Sequence, residues 1–229
     1  MTVAPAPVVN ESPVRAGLLA VRRFGRPFVL IQAAAVLLVV AYRASAPVRE
    51  VCAALVGLKQ EGGLVFSALA SAIAGGLLPE LATLATLPAE RGRPGRIGRL
   101  AFTTAFFTVN GAVIDLFYRL SADLFGSAAT VAVVAQKVAF DQFVFTPLWL
   151  CVIASLFAWH KHGFRIAPTR ADLAGGFLRR RLLPLLLPNW CFWMPMTAII
   201  YALPVPLQFL LFVFALAAWS LIMVFIAAR

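Results

Sequence analysis

Residues 204–228 read PVPLQFLLFVFALAAWSLIMVFIAA, and Arg229 is the first charged residue after them. A helix crossing the hydrocarbon core of a bilayer needs roughly 20 mostly apolar residues, and the segment 206–228 has that length. Backbone groups in hydrocarbon meet no water, so such a segment must satisfy its own N–H and C=O groups as a helix. Only Pro204-Val205-Pro206 separates it from another apolar segment at 182–203. Prolines at that junction enforce a turn, because they fix φ and remove backbone donors.

Working toward the N-terminus, four more apolar segments fall at about 24–43, 64–86, 99–119 and 127–159. The first is short and begins at Arg26-Pro27. The second contains Gly75-Gly76, which allows close helix approach, and Pro79, which invites a kink. The fourth is long enough to tilt, to kink at Pro147, or to begin outside the membrane. The whole chain is 62% apolar and 13% charged, with a mean hydropathy of +0.91. Soluble domains carry roughly 25% charged residues. The expectation is an all-α, polytopic membrane bundle of about six transmembrane helices.

The net charge of +11 is distributed as a membrane protein distributes it. The leader through Arg26 carries +3, from Arg15, Arg22, Arg23 and Arg26 against Glu11. Residues 43–63 carry +1, residues 88–99 carry +3, residues 119–126 are neutral, residues 160–181 carry +5, and the turn at 204–206 is neutral. Strong and weak loops alternate, which six spans with both termini cytoplasmic satisfy at every loop. Nucleic-acid binding is not expected, since the basic residues flank apolar segments and no zinc-finger or RNA-binding signature occurs.

Residues 1–26 read as a flexible, basic leader, the stretch from Arg15 to Arg26 suiting a juxtamembrane helix, and residues 27–229 as one transmembrane domain. The apolar run at 28–42 passes into RASAPVRE without a convincing signal cleavage site. A mitochondrial transit peptide is the alternative for the leader.

Ionisable groups inside apolar segments are costly and direct attention to function. Lys137 and Asp141 stand four apart and so share a helix face; opposite charges at that spacing can neutralise each other where water is scarce. Gln142, Asn189 and Asn110 can extend such a network. Glu80 and Asp115, near opposite ends of their spans, either join it or reach the interface. The bland reading of the pair is a structural clasp, the functional one a polar pathway or gate. Trp190, Trp193 and Trp159 suit interfacial anchoring, whereas Trp149 and Trp219 read as lipid-facing or packing residues.

Catalytic chemistry finds no footing. There is no GxSxG elbow, HExxH pair, phosphate loop or dinucleotide fingerprint, so the reading is a non-enzyme. Cys52, Cys151 and Cys191 have no paired spacing, and His160 and His162 have no evident carboxylate partner. No metal or other cofactor is expected.

KVAFDQFVFTP at 137–147 resembles the K-x-x-x-D-Q-x-x-x-x-P signature of the Mpv-seventeen and peroxisomal-membrane-protein family, which includes the yeast Sym protein. NWCFWMP at 189–195 resembles its N-W-x-x-W-P element. Gly111 with Phe117-Tyr118 resembles its G-P-x-x-H-x-W-Y element, and Gly75 to Glu80 loosely matches G-D-x-x-x-Q. The resemblance covers about 64–228 and places Lys137, Asp141, Gln142, Pro147, Trp190, Trp193 and Pro195 at signature positions. It implies a small integral membrane protein of a kind assigned pore or metabolite-flux roles. This chain departs from the pattern at Gly76, Glu80, Asp115, Thr197, Ile200 and Phe209, several of which lose a polar group.

The functional expectation is a channel-like protein permeable to an unidentified small solute, with Lys137 and Asp141 at its polar centre. The alternative is an accessory membrane protein that organises partners without transport. The lipid bilayer is the one partner implied, and a homo-oligomer is compatible with the sequence. The Ala/Arg-rich style suggests a bacterial inner membrane, with the mitochondrial inner or peroxisomal membrane as alternatives.

Overall fold

A computed structural model describes residues 13–174 and 182–227. Residues 1–12 of the expected leader at 1–26, residues 175–181 and residues 228–229 lie outside the described residues. The elements are α1 (Pro13–Ala44), α2 (Ala46–Ser71), α3 (Leu78–Thr86), α4 (Arg96–Phe125), α5 (Val131–Phe140), α6 (Thr146–Lys161), α7 (Ile166–Leu173), α8 (Leu183–Tyr201) and α9 (Val205–Ala227). Widened π-helical turns join α2 to α3 at Ala72–Leu77 and α5 to α6 at Asp141–Phe145. Five helical stretches are long and apolar enough to cross a bilayer: Gly25–Ala44, Ala46–Thr86, Arg96–Phe125, Val131–Lys161 and Val205–Ile222. Leu185–Tyr201 is a shorter apolar helix. The chain is thus an all-α, multi-span bundle.

Each π turn is tied to a proline. In Asp141–Phe145 the Thr146 amide reaches back five residues to the Asp141 carbonyl, and Pro147 follows. In Ala72–Leu77 the Leu78 amide reaches the Ile73 carbonyl, and Pro79 follows. A proline ring clashes with the carbonyl four residues back, and a widened turn relieves that clash without ending the helix. Both long spans therefore carry a widened turn just before the proline where the sequence reading expected a kink.

Three boundaries differ from the sequence reading, one of them at 119–126, expected as a loop, where α4 continues to Phe125. Residues 43–63, expected as a connecting loop, are largely helical. Val48, Cys52, Val56 and Lys59 turn a half-buried edge inward, while Arg49, Glu50 and Glu61 are exposed. This first part of α2 is set off from the spanning part by Gly63, at φ 52 and ψ −132, a conformation open essentially to glycine alone. The fourth span starts at Val131 rather than near 127, because Gly126 closes α4 at φ 87 and the Thr130 hydroxyl caps α5 by accepting from the Val133 amide.

α1 packs along α8, and α2 with its π turn packs along α4. In the second contact the helices approach through glycines. A methyl group at Gly111 would strike the Ser67 carbonyl and Ser71, and one at Gly76 would meet the Thr104 backbone at 2.9 Å. In the first, Phe28 lies 5.2 Å from Phe192 and 5.3 Å from Trp219, centroid to centroid. Trp219 is therefore a packing residue. Salt links gather at the basic end of the bundle, where Arg96 pairs with Glu80, and Arg93 and Arg99 both pair with Glu90. The Arg93 hydrogen bond foremost holds the Glu90 carboxyl below its ordinary range.

Gly63→Ala is expected to lower stability by about 1–3 kcal/mol, the cost of forcing a side chain into this backbone region. Gly57→Ala, which meets open space within the same helix, is expected to leave the unfolding midpoint unchanged or raise it. Denaturation in mixed micelles compares the two.

Candidate functional site

The Asp141–Phe145 turn carries the site. In the π register the next amide, at position 147, would bond the Gln142 carbonyl, but Pro147 has no N–H. The Thr146 amide, which would serve that carbonyl in an α-helix, is already committed to Asp141. The indole of Trp190, from α8, supplies the missing donor at 2.9 Å. Trp190 thus serves as a cap for an internal backbone carbonyl, a role the sequence reading did not give it. The same logic recurs in α8. Pro195 deprives the Cys191 carbonyl of its donor four residues on, and Gln32 of α1 donates to it at 3.3 Å and to the Phe192 carbonyl at 3.2 Å. Pro147, Trp190 and Pro195 are therefore coupled to the fold through the groups that the prolines leave open.

Asp141 and Gln142 point into the bundle, 6% and 1% exposed. The Asp141 carboxylate accepts from Tyr201 Oη at 2.8 Å, Gln142 Nε2 at 3.1 Å and Thr146 Oγ1 at 3.2 Å. Thr146 stands five residues on, the spacing that a π turn stacks on one face. Lys137, also 1% exposed, occupies the expected face yet forms no ion pair with Asp141 among the described residues. Its ammonium lies 5.6 Å from the centroid of the Tyr201 ring, a cation–π contact. Tyr201 thus links the two, its ring facing the cation and its hydroxyl bonded to the carboxylate. The direct charge pair expected from the sequence is replaced by this relay, because α8 brings a large aromatic to the face they share.

A cleft of about 480 Å³ opens beside this turn. Its lining is mainly aromatic and aliphatic, with Asn110, Asp141, Gln142, Thr146, Asn189 and Thr197 as polar points. Asn110 accepts from Trp149 Nε1 at 2.8 Å, which gives Trp149 a polar as well as a packing role. Trp193 lines the cleft too, so it also belongs to the interior. Gln142 Oε1 is buried without a hydrogen-bond partner among the described residues; an acceptor so placed is costly until a donor reaches it.

A second cavity, of about 310 Å³, lies near the turn joining α8 to α9. Asp115, 3% exposed at its side chain, accepts there from Lys59 Nζ at 2.7 Å and Arg119 Nη2 at 2.8 Å. Tyr118 lines both cavities. Phe209 lines the second and Phe212 the first, their centroids 5.7 Å apart.

Asp115 is therefore brought to a cavity of its own, and Glu80 remains at the basic end with Arg96, away from Asp141. Gly111 serves helix packing. His162 does have a carboxylate partner, Asp172 at 3.1 Å, contrary to the sequence reading; α7 folds back to supply it. No cluster suited to a metal occurs among the described residues. Gln32 and Lys59 were not singled out from the sequence, and Tyr201 was given no role beyond an aromatic that follows the 189–195 element. A glutamine inside an apolar span was the available signal for Gln32, whereas the other two are set by long-range packing.

No family model matches the chain, and neither a curated protein nor a solved structure matches it.

Trp190→Phe is expected to cost about 1–3 kcal/mol, the penalty for a buried carbonyl left unmade. In a Pro147→Ala background the cost should shrink, because the alanine amide can take the indole's place. A double-mutant cycle in mixed micelles measures that coupling.

Proposed function

We propose that this chain is a channel-like membrane protein that passes a small polar solute along the cleft, past Tyr118 and through the second cavity. The reading rests chiefly on Gln142 Oε1, a buried acceptor without a partner among the described residues, beside a buried carboxylate on the wall of the cleft. Such groups replace part of a solute's hydration shell as it leaves water. The remaining lining of the cleft is largely apolar, so wetting rather than charge repulsion sets the barrier on that side, and a small unit conductance follows. Tyr118, shared by both cavities, is the constriction.

The same proposal places the chain as a relative of the Mpv-seventeen family, on the strength of the motifs at 137–147 and 189–195. It also includes both termini on the cytoplasmic side, from the alternation of loop charge, and a bacterial inner membrane, from the Ala/Arg-rich composition. Chemistry at a covalent centre forms no part of it. Phe209 stands where the family has arginine, and Lys59 Nζ lies 5.3 Å from its ring centroid, so a cation still reaches this region.

Ion and small-solute conductance of purified protein in planar bilayers tests the reading. The native chain is expected to give reproducible openings. Asp141→Asn, which retains an acceptor for Tyr201, should change their amplitude several-fold without unfolding the bundle. Tyr118→Ala should raise it by joining the two cavities. Silence from folded, inserted protein in all three forms would leave the accessory role as the better account.

A further inference from the structure

The second cavity has a charge imbalance that the permeation path does not require. One carboxylate, Asp115, faces two cations, Lys59 and Arg119. One positive charge is left over in a partly desolvated recess, where field is focused rather than screened. Asp115 is fully engaged, so it holds the cations in place rather than leaving its own charge to attract a cation.

The donors are also unevenly spent. Arg119 gives Nη2 to Asp115, and no other hydrogen bond of its guanidinium is recorded among the described residues. Its side chain is 52% exposed and lines the cavity. Gln60 adds an exposed amide on the same wall. Opposite them stand Val205 and Pro206, the first residues of α9. The positive end of that helix dipole therefore faces the same space. A planar guanidinium with free N–H groups and a nearby ammonium form a donor set that suits phosphate oxygens; the α9 N-terminus adds field rather than donors, since Pro206 has no N–H and the Leu207 amide is bonded to the Pro204 carbonyl. Asp123 and Glu61, the neighbouring exposed acids, are not part of the lining.

We propose that Lys59, Arg119 and Gln60 form a binding site for a phosphate group, held in register by Asp115. The group comes either from a small soluble phosphate or from a phospholipid headgroup, and the arms of the test separate these sources. The site is an equilibrium binding site, and its occupancy does not depend on conduction.

Full-length protein in a maltoside detergent is titrated with inorganic phosphate against chloride at constant ionic strength, and the thermal unfolding midpoint is followed. A saturable rise with phosphate alone is expected, since a ligand that binds the folded state stabilises it by mass action. Arg119→Gln, at a half-exposed position that leaves the fold intact, should weaken the apparent affinity by about tenfold or more, as loss of a charge-assisted hydrogen bond does. Asp141→Asn should leave it unchanged, so failure of the permeation reading and failure of this one are distinguishable. If inorganic phosphate has no effect but phosphatidylglycerol in mixed micelles gives an Arg119-dependent rise, the headgroup is the source and the site stands. If neither probe stabilises the native chain, or both stabilise Arg119→Gln equally, the proposal is overturned.

Discussion

A backbone carbonyl in hydrocarbon must find a donor, and prolines inside spans take donors away. Much of the interior follows from that one constraint. Pro147 opens the Gln142 carbonyl, and α8 must present Trp190 to close it. Pro195 opens the Cys191 carbonyl, and α1 must present Gln32. At the proline turn between α8 and α9 the Leu207 amide is taken by Pro204, and Gln208 Nε2 donates to the Leu203 carbonyl at 3.0 Å. In each case a side chain does what the helix ladder cannot, and the first two pin one helix against another.

The functional groups sit on the geometry this creates. A regular α-helix through 141–145 would turn Asp141 and Thr146 onto different faces. The widened turn stacks them and directs Asp141 and Gln142 inward, where Tyr201 meets the carboxylate. Gln142 is then doubly used: its carbonyl is held by Trp190, and its side-chain oxygen is buried beside the cleft without a hydrogen-bond partner among the described residues. Fold and candidate site share these residues, so a change at Pro147 or Trp190 acts on both.

The long apolar helices were legible because length and apolar content are linear properties of a chain. The irregular turns before Pro79 and Pro147 were legible for the same reason, since proline acts locally. Gly75, Gly76 and Gly111 likewise announced a close helix contact, which α2 and α4 make. What could not be read were partners distant in sequence. Lys137 and Asp141 lie on one face, as spacing requires, but that Tyr201 would come between them depends on how α8 docks. Lys59 looked like part of a hydrophilic loop until Gly63 broke the helix and swung it onto Asp115. The bond from Trp190 was not legible because an indole near a span's end serves an interface or an interior carbonyl equally well, and the carbonyl that Pro147 leaves open lies on another helix.

The central claim is that the Gln142 side of the cleft is reached from water. Cysteine accessibility in the native membrane measures this directly, with Cys52, Cys151 and Cys191 first replaced by serine. Gln142→Cys and Asn189→Cys are compared with Leu148→Cys, whose side chain lies on the outer surface of the bundle at 65% exposure. A hydrophilic, membrane-impermeant thiol reagent is expected to modify the first two and to spare the third. If all three remain unmodified in folded protein, the cleft is closed to water and the account of a solute path is contradicted.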